Sequence, residues 1–294
     1  MSVTTTTTDE VSKEISPQAY PPGSDSAPRR APNPAYGSGW PRAMQRLLSV
    51  APPIALAIIL LVSWYLGTTV GQVNSLILPA PGDVFASLTN GLASGLFLSN
   101  AIVTIEESIF GFLLALIIAL PLGYGLAKSR LISVAVQPYL AAGQAVPAIV
   151  IAPFLVFWFG FGLFSNTILC MLVVLFPMVI TTVLGVQTID KALTDAARVE
   201  GAGGWSLLAN IEFPLALPAV LAGIRTSLTL SITGALVGEF VGGSSLGLGA
   251  LVQIAKEQYN IALMFATIFV LAVLAALYYG AAWLLTKLAE AVYY

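Results

Sequence analysis

The chain has 294 residues, 57% of them hydrophobic and only 9% charged, with a net charge of -2. A soluble domain carries about 25% charged residues, because a folded surface needs side chains that water accepts, so charges this sparse exclude a water-exposed globule. The near-neutral balance offers no basic footprint for nucleic acid. One cysteine and no histidine remove intramolecular disulfides, cysteine-based metal clusters and the commonest proton shuttle.

In chain order, residues 1–45 stand apart. A threonine run, Thr4 to Thr8, precedes a stretch between Pro21 and Pro41 that is dense in Pro, Gly, Ser and Ala. Such a composition cannot bury enough apolar surface to offset its ordering entropy. It also lacks the short apolar core and cleavage site of a secretory signal. The expectation is a disordered cytoplasmic tail, followed by one transmembrane domain over 46–294.

Uncharged runs then set the architecture. No Asp, Glu, Lys or Arg occurs between Arg46 and Asp83, between Glu107 and Lys128, or between Arg130 and Asp190. A crossing needs about 20 apolar residues, and the last of these runs is long enough for two. The predicted fold class is all-α, a polytopic bundle of six transmembrane helices. The spans are Leu48–Leu66, Ser108–Ala127, Val134–Phe157, Thr167–Val186, Leu217–Val237 and Ile261–Leu284. Pro121, Pro138, Pro147, Pro153 and Pro177 fall within them, which membrane helices tolerate when neighbours satisfy the freed backbone groups. The third span leaves through a short turn, Gly160 to Gly162.

Orientation follows from the cations. With the N-terminus cytoplasmic, Lys13, Arg29, Arg30, Arg42, Arg46, Lys128, Arg130, Lys191, Arg198, Arg225 and Lys287 lie inside and only Lys256 outside. Both termini and the segment 187–216 are therefore predicted in the cytoplasm. On the outer side, Asp83 is expected to cap a short helix with Val84, Leu88 and Leu92 along one apolar stripe. That helix either rests at the membrane interface or takes part in solute binding.

The cytoplasmic segment 188–214 is the most informative. Asp190 is placed to cap a helix through Leu193, Ala196, Ala197 and Arg198, which Gly201, Gly203 and Gly204 end. A second short helix over Trp205–Asn210 is expected to stop at Pro214. Ala196 and Ala197 allow close approach by another surface, and Trp205 is an anchor of the kind enriched in interface hot spots. An ordinary loop packed on its own helices is the alternative.

This segment resembles the EAA motif of ATP-binding-cassette (ABC) importer permeases: E-A-A, three residues, G, nine residues, I, any residue, L-P. Asp195, Ala196, Ala197, Gly201, Ile211 and Pro214 occupy its positions, with Asp195 for Glu and Phe213 for Leu. The runs Gln144 to Pro147, Ala152-Pro153, Phe157 to Gly162, Phe176-Pro177, Gly223 to Arg225, Glu239 and Gly247 to Gly249 are similar to the nitrate/taurine/sulfonate (NitT/TauT) branch. The likeness covers about residues 75–290. It implies a MetI-like type I importer permease in the bacterial inner membrane. It further implies two cytoplasmic ATPase subunits, a second permease copy forming a homodimer, and an external solute-binding protein. ATP and Mg would be bound by the ATPase, whose closure would rotate the helices through Asp195, Ala196, Ala197, Gly201, Trp205, Ile211 and Pro214. The sequence agrees on one point: it holds no G-x-x-x-x-G-K-[ST] loop for phosphate. No catalytic residue, metal site or cofactor is expected in this chain. The implied solute is small and organic, a pyrimidine or flavin vitamin precursor, or a sulfonate, taurine or nitrate.

Other polar residues fall at membrane depth. Arg225 is the one cation well inside a span; it either snorkels or caps carbonyls, or lines the solute path or a gate. Glu239 ends the fifth span as a solvated loop carboxylate or an outer-gate contact. Gln144, Asn166, Ser231 and Thr233 either line a pathway or bond across helices. Deep acids are otherwise not expected, which counts against the alternative of an ATP-independent secondary transporter or channel.

Overall fold

A computed structural model describes residues 42–293 apart from Gln72 and Gly243, with side chains for 51–289 and Ala291 apart from those two. Residues 1–41 of the expected tail lie outside the described residues, and 42–45 are already helical. The chain divides into two units, one ending at Ile58 and one running from Ile59. The first holds the start of α1 (Arg42–Thr69); the second holds everything that follows.

The described residues form helices and no strands. Five helices are long and apolar enough to cross a membrane, or six when one bent pair is taken as a single span. The centre of the second unit is α3 (Leu96–Lys128), α6 (Leu163–Gln187) and α9 (Phe213–Val241), which make the most extensive mutual contacts. Small residues let these helices approach, as in membrane bundles generally. Cys170 of α6 sits in the crossing, fully buried. A Cβ on Gly111 would stand 2.5 Å from its Cβ, and one on Gly234 would stand 2.8 Å from its Cα. Around this crossing Phe112, Ala115, Val174, Met178, Val179 and Ile232 form the apolar core. The opposite face of α3 carries Phe110 and Ile117 into the surroundings, as expected where the solvent is lipid.

α11 (Ile261–Tyr293) and α10 (Leu248–Glu257) pack against α9. α2 (Pro81–Ala93) packs on α11 and α3. The predicted stripe on α2 holds for Val84 and Leu88, which reach the core, but Leu92 is exposed. Asp83 is not its cap. The helix starts at Pro81 after Ala80, because proline suits a first turn whose N–H groups need no intrahelical partner, and Asp83 lies in that first turn.

Two other expectations change. The third span is not straight: α4 (Arg130–Ala145) and α5 (Ala148–Phe159) meet at 89°. Val146 is extended and Pro147 caps α5, since proline disfavours a helical residue before it and supplies no N–H of its own. Pro214, likewise, does not stop a helix. α8 (Gly204–Leu207) passes through a π-helical turn, Leu208–Glu212, into α9, where Pro214 occupies the first turn.

Candidate functional site

Three regions collect the polar side chains, and the first is the segment 188–214. α7 (Lys191–Val199) begins as the sequence requires: the Asp190 carboxylate accepts the Ala192 N–H at 2.9 Å. It ends before Gly201, whose φ of +93° suits glycine. Arg198 donates to Asp195 at 3.1 Å across one exposed turn. Ala196 faces outward, whereas Ala197 is buried against its own protein, so only the first can meet another surface. Leu193, Val199 and Trp205 are exposed, Trp205 at 79%. Ile211 and Pro214 are partly buried beside the π turn.

The second region is a pair of cavities sharing Leu230 as a wall. A groove of about 710 Å³ between α9 and α11 carries Arg225, Thr226, Thr229 and Thr233, with Tyr279 and Thr286 opposite. Arg225 lies near the middle of α9, deeper than expected, because the helix begins at Phe213 and not Leu217. Its guanidinium donates to the Tyr279 hydroxyl and lies 4.6 Å from that ring's centroid. The second cavity, about 350 Å³, contains Gln144 at the α4–α5 bend with Pro147 and Phe176. Gln144, Arg225 and Thr233 therefore border connected walls, while Asn166, Ser231 and Glu239 do not.

Those three belong to the packed interior. Ser231 is fully buried, donates to the Leu228 carbonyl at 2.7 Å, and its own carbonyl accepts the Cys170 thiol at 3.1 Å. Glu239 is 1% exposed, which overturns its reading as a solvated loop carboxylate. It accepts from the Thr104 hydroxyl at 2.6 Å and from the Gly249 N–H at 2.5 Å. Thr104 in turn accepts the Leu248 N–H, and Asn100 accepts the Gly247 N–H, both at 2.9 Å. The free N–H groups at the start of α10 are thus met by α3 and α9 side chains. Gly247 has φ +119°, and a Cβ there would lie 2.3 Å from the Glu239 carboxyl carbon.

Deep acids are present after all. Glu107 is fully buried, accepts from the Asn166 amide at 2.8 Å and faces Glu239. Sequence reasoning missed it by starting the second span at Ser108, although α3 begins at Leu96. The available signal was spacing: Asn100, Thr104, Glu107 and Gly111 recur every three or four residues on one helical face, and all four are buried. At the opposite end of α3 a third buried carboxylate, Glu212 (4% exposed), accepts from Lys128 and from the Tyr124 hydroxyl, the latter at 2.7 Å. No group of three or more metal-ligating side chains occurs among the described residues.

A bundle with a polar groove and a structured helix–turn segment at 188–214 has clear relatives. Residues 111–289 match the family described as binding-protein-dependent transport system inner membrane component. The chain belongs to that family. This permease is similar to the riboflavin transport system permease protein RibX of Chloroflexus aurantiacus, 41% identical over 80% of this chain and 87% of the relative. It is also similar to the formylaminopyrimidine transport permease protein ThiX of Halalkalibacterium halodurans, 28% identical over 81% of this chain and 94% of that one. Among solved structures, an inward-facing conformation of the MetNI methionine ABC transporter superposes with a TM-score of 0.58. The identity is 19%, covering 65% of the permease and 95% of that chain, which establishes the MetI-like type I importer fold. The protein is a multi-pass ABC-importer permease of the inner-membrane family. The family match contains the segment 188–214 and the groove, whereas Asn100, Thr104 and Glu107 precede it.

Proposed function

We propose that this permease is the gated pathway of a NitT/TauT-type importer, driven from the cytoplasm by two ATPase subunits that bind ATP and Mg. The observation that carries the reading is the segment Asp190–Pro214. A capped helix and a glycine turn present Leu193, Val199 and Trp205 outward, in a chain with no phosphate-cradling loop of its own. Exposed aromatic and aliphatic anchors beside small Ala196 suit insertion into a cleft on a partner. Both termini and this segment are cytoplasmic in this scheme, as the basic residues require.

The solute path runs along the threonine-bearing face of α9, past Arg225, Thr233 and Gln144. Hydrocarbon gives hydroxyls and a guanidinium nothing to bond, so this face is best accounted for by water, solute and the second copy of a homodimer. The solute is a small planar organic molecule of the vitamin-precursor class, delivered by an external binding protein. The names of the riboflavin and formylaminopyrimidine relatives support that class, and Arg225 stacked on Tyr279 provides a flat surface with spare donors.

The test is assembly followed by uptake. Ala196→Glu and Trp205→Ala are expected to abolish co-purification of the ATPase while the permease stays monodisperse in detergent. Undiminished capture by both variants would remove the segment's role. ATP-independent uptake by the permease alone would replace the whole reading with that of a secondary transporter.

A further inference from the structure

The chain passes from α7 through α8 and the π turn into α9, and the last residue of that turn is a buried carboxylate. α7 packs against α8 and this turn. Glu212 then reaches across to α3, where Lys128 donates to both of its oxygens and Tyr124 to one. The Lys128 ammonium also lies 4.9 Å from the Tyr124 ring centroid, so the three side chains form one closed unit. α3 runs from there to Asn100 and Thr104, which hold the start of α10 at the other end.

We propose that Glu212, held by Lys128 and Tyr124, is the positioning residue that passes displacement of the cytoplasmic segment to α3. Through α3 the movement reaches the outer end of the bundle. This rests on the reading of that segment as the ATPase-docking element.

Three observations distinguish a working joint from a static staple. The carboxylate sits in π-helical backbone, a geometry that is uncommon and concentrated at functional sites. On one side it borders an apolar cavity of about 260 Å³ with Leu120, Val186, Phe213 and Val220, which leaves room to shift. On the other side it borders a polar cleft of about 590 Å³ with Arg130, Lys191 and Arg198. A buried charge cannot move away from its partner without a large penalty. Glu212 and Lys128 must therefore travel together, and the half-open pocket beside them gives space for that travel.

The experiment uses the complete complex of permease, ATPase and binding protein in proteoliposomes, and reads solute taken up per ATP hydrolysed. Glu212→Gln keeps the shape and removes the charge. The expected result is normal co-purification of the ATPase, continued hydrolysis, loss of its stimulation by loaded binding protein, and a ratio about tenfold lower. The exchange Lys128→Glu with Glu212→Lys is expected to recover much of that ratio, and Tyr124→Phe to give an intermediate loss. An unchanged ratio in Glu212→Gln overturns the proposal. Should that variant fail to fold, Tyr124→Phe and Lys128→Met decide: wild-type ratios in both overturn it equally. Failure of the docking reading looks different, because it appears as ATPase capture that survives Ala196→Glu.

Discussion

In the orientation proposed above, buried carboxylates tie both ends of the α3–α9 interface, Glu239 beside Glu107 at the outer end and Glu212 at the inner end, and the two ties are built differently. At the outer end Glu239 is enclosed by Thr104, Glu107 and the backbone of Gly247 to Gly249, with no space for one more carbon. At the inner end Glu212 is also buried, but its partner Lys128 is partly exposed and it stands between a half-open apolar pocket and a polar cleft, on π-helical backbone. At 1.5 Å per residue the two lie roughly 40 Å apart along the helix. Interiors packed to crystal-like density transmit force but do not deform, whereas a half-open pocket yields. The comparison assigns the outer end the part of a fixed clasp and the inner end that of a moving joint.

The largest effect is expected where the clasp is tightest. Gly247→Ala puts a Cβ into the Glu239 carboxyl at a φ that L residues avoid. It should abolish well-folded protein, measured as monodisperse yield in detergent; a normal yield would mean that the outer end also has slack. Glu239→Ala comes next. It leaves the Gly249 N–H without its acceptor, while the Thr104 hydroxyl keeps the Asn100 carbonyl at 3.3 Å, at a cost of about 2 kcal/mol, read as a lower thermal midpoint in detergent. The smallest change in stability is expected at the inner pocket, where Val220→Phe should fill space and alter stability by roughly 1 kcal/mol or less. Uptake should nevertheless fall, because the joint loses its room. If Val220→Phe transports normally, the pocket is incidental and the contrast between the ends weakens.

Much of this was legible beforehand, for identifiable reasons. The crossings follow from the absence of charge over long stretches, which nothing in tertiary structure can reverse in a bilayer. The cap at Asp190 and the break at Gly201 are local and depend on a few neighbouring residues. What escaped depends on partners distant in sequence. Glu107 and Glu239 look like span-ending charges until Asn166 of α6, Thr104 of α3 and the turn before α10 supply their hydrogen bonds. Proline was ambiguous for the same reason. Pro121, Pro138, Pro153 and Pro177 lie inside continuous helices, whereas Pro147 marks an 89° bend. Pro214, followed as it is by a long apolar run, reads as a stop only if the π turn ahead of it is not anticipated. Arg225 was found, but its depth was not, because the start of α9 was set four residues late.

Cys170 is the single thiol of the whole chain, and its sulfur lies at the crossing of three helices with no solvent-accessible surface. Reagents that modify thiols from water or from the lipid face should leave it untouched in the folded permease. The natural sequence is in that respect already a cysteine-free background for chemical labelling. A cysteine introduced at Thr233 in the groove or at exposed Ser99 near the start of α3 would be the one reachable sulfur. Crosslinking, spectroscopic distances and accessibility in each nucleotide state could then be read from a protein that needed no other change.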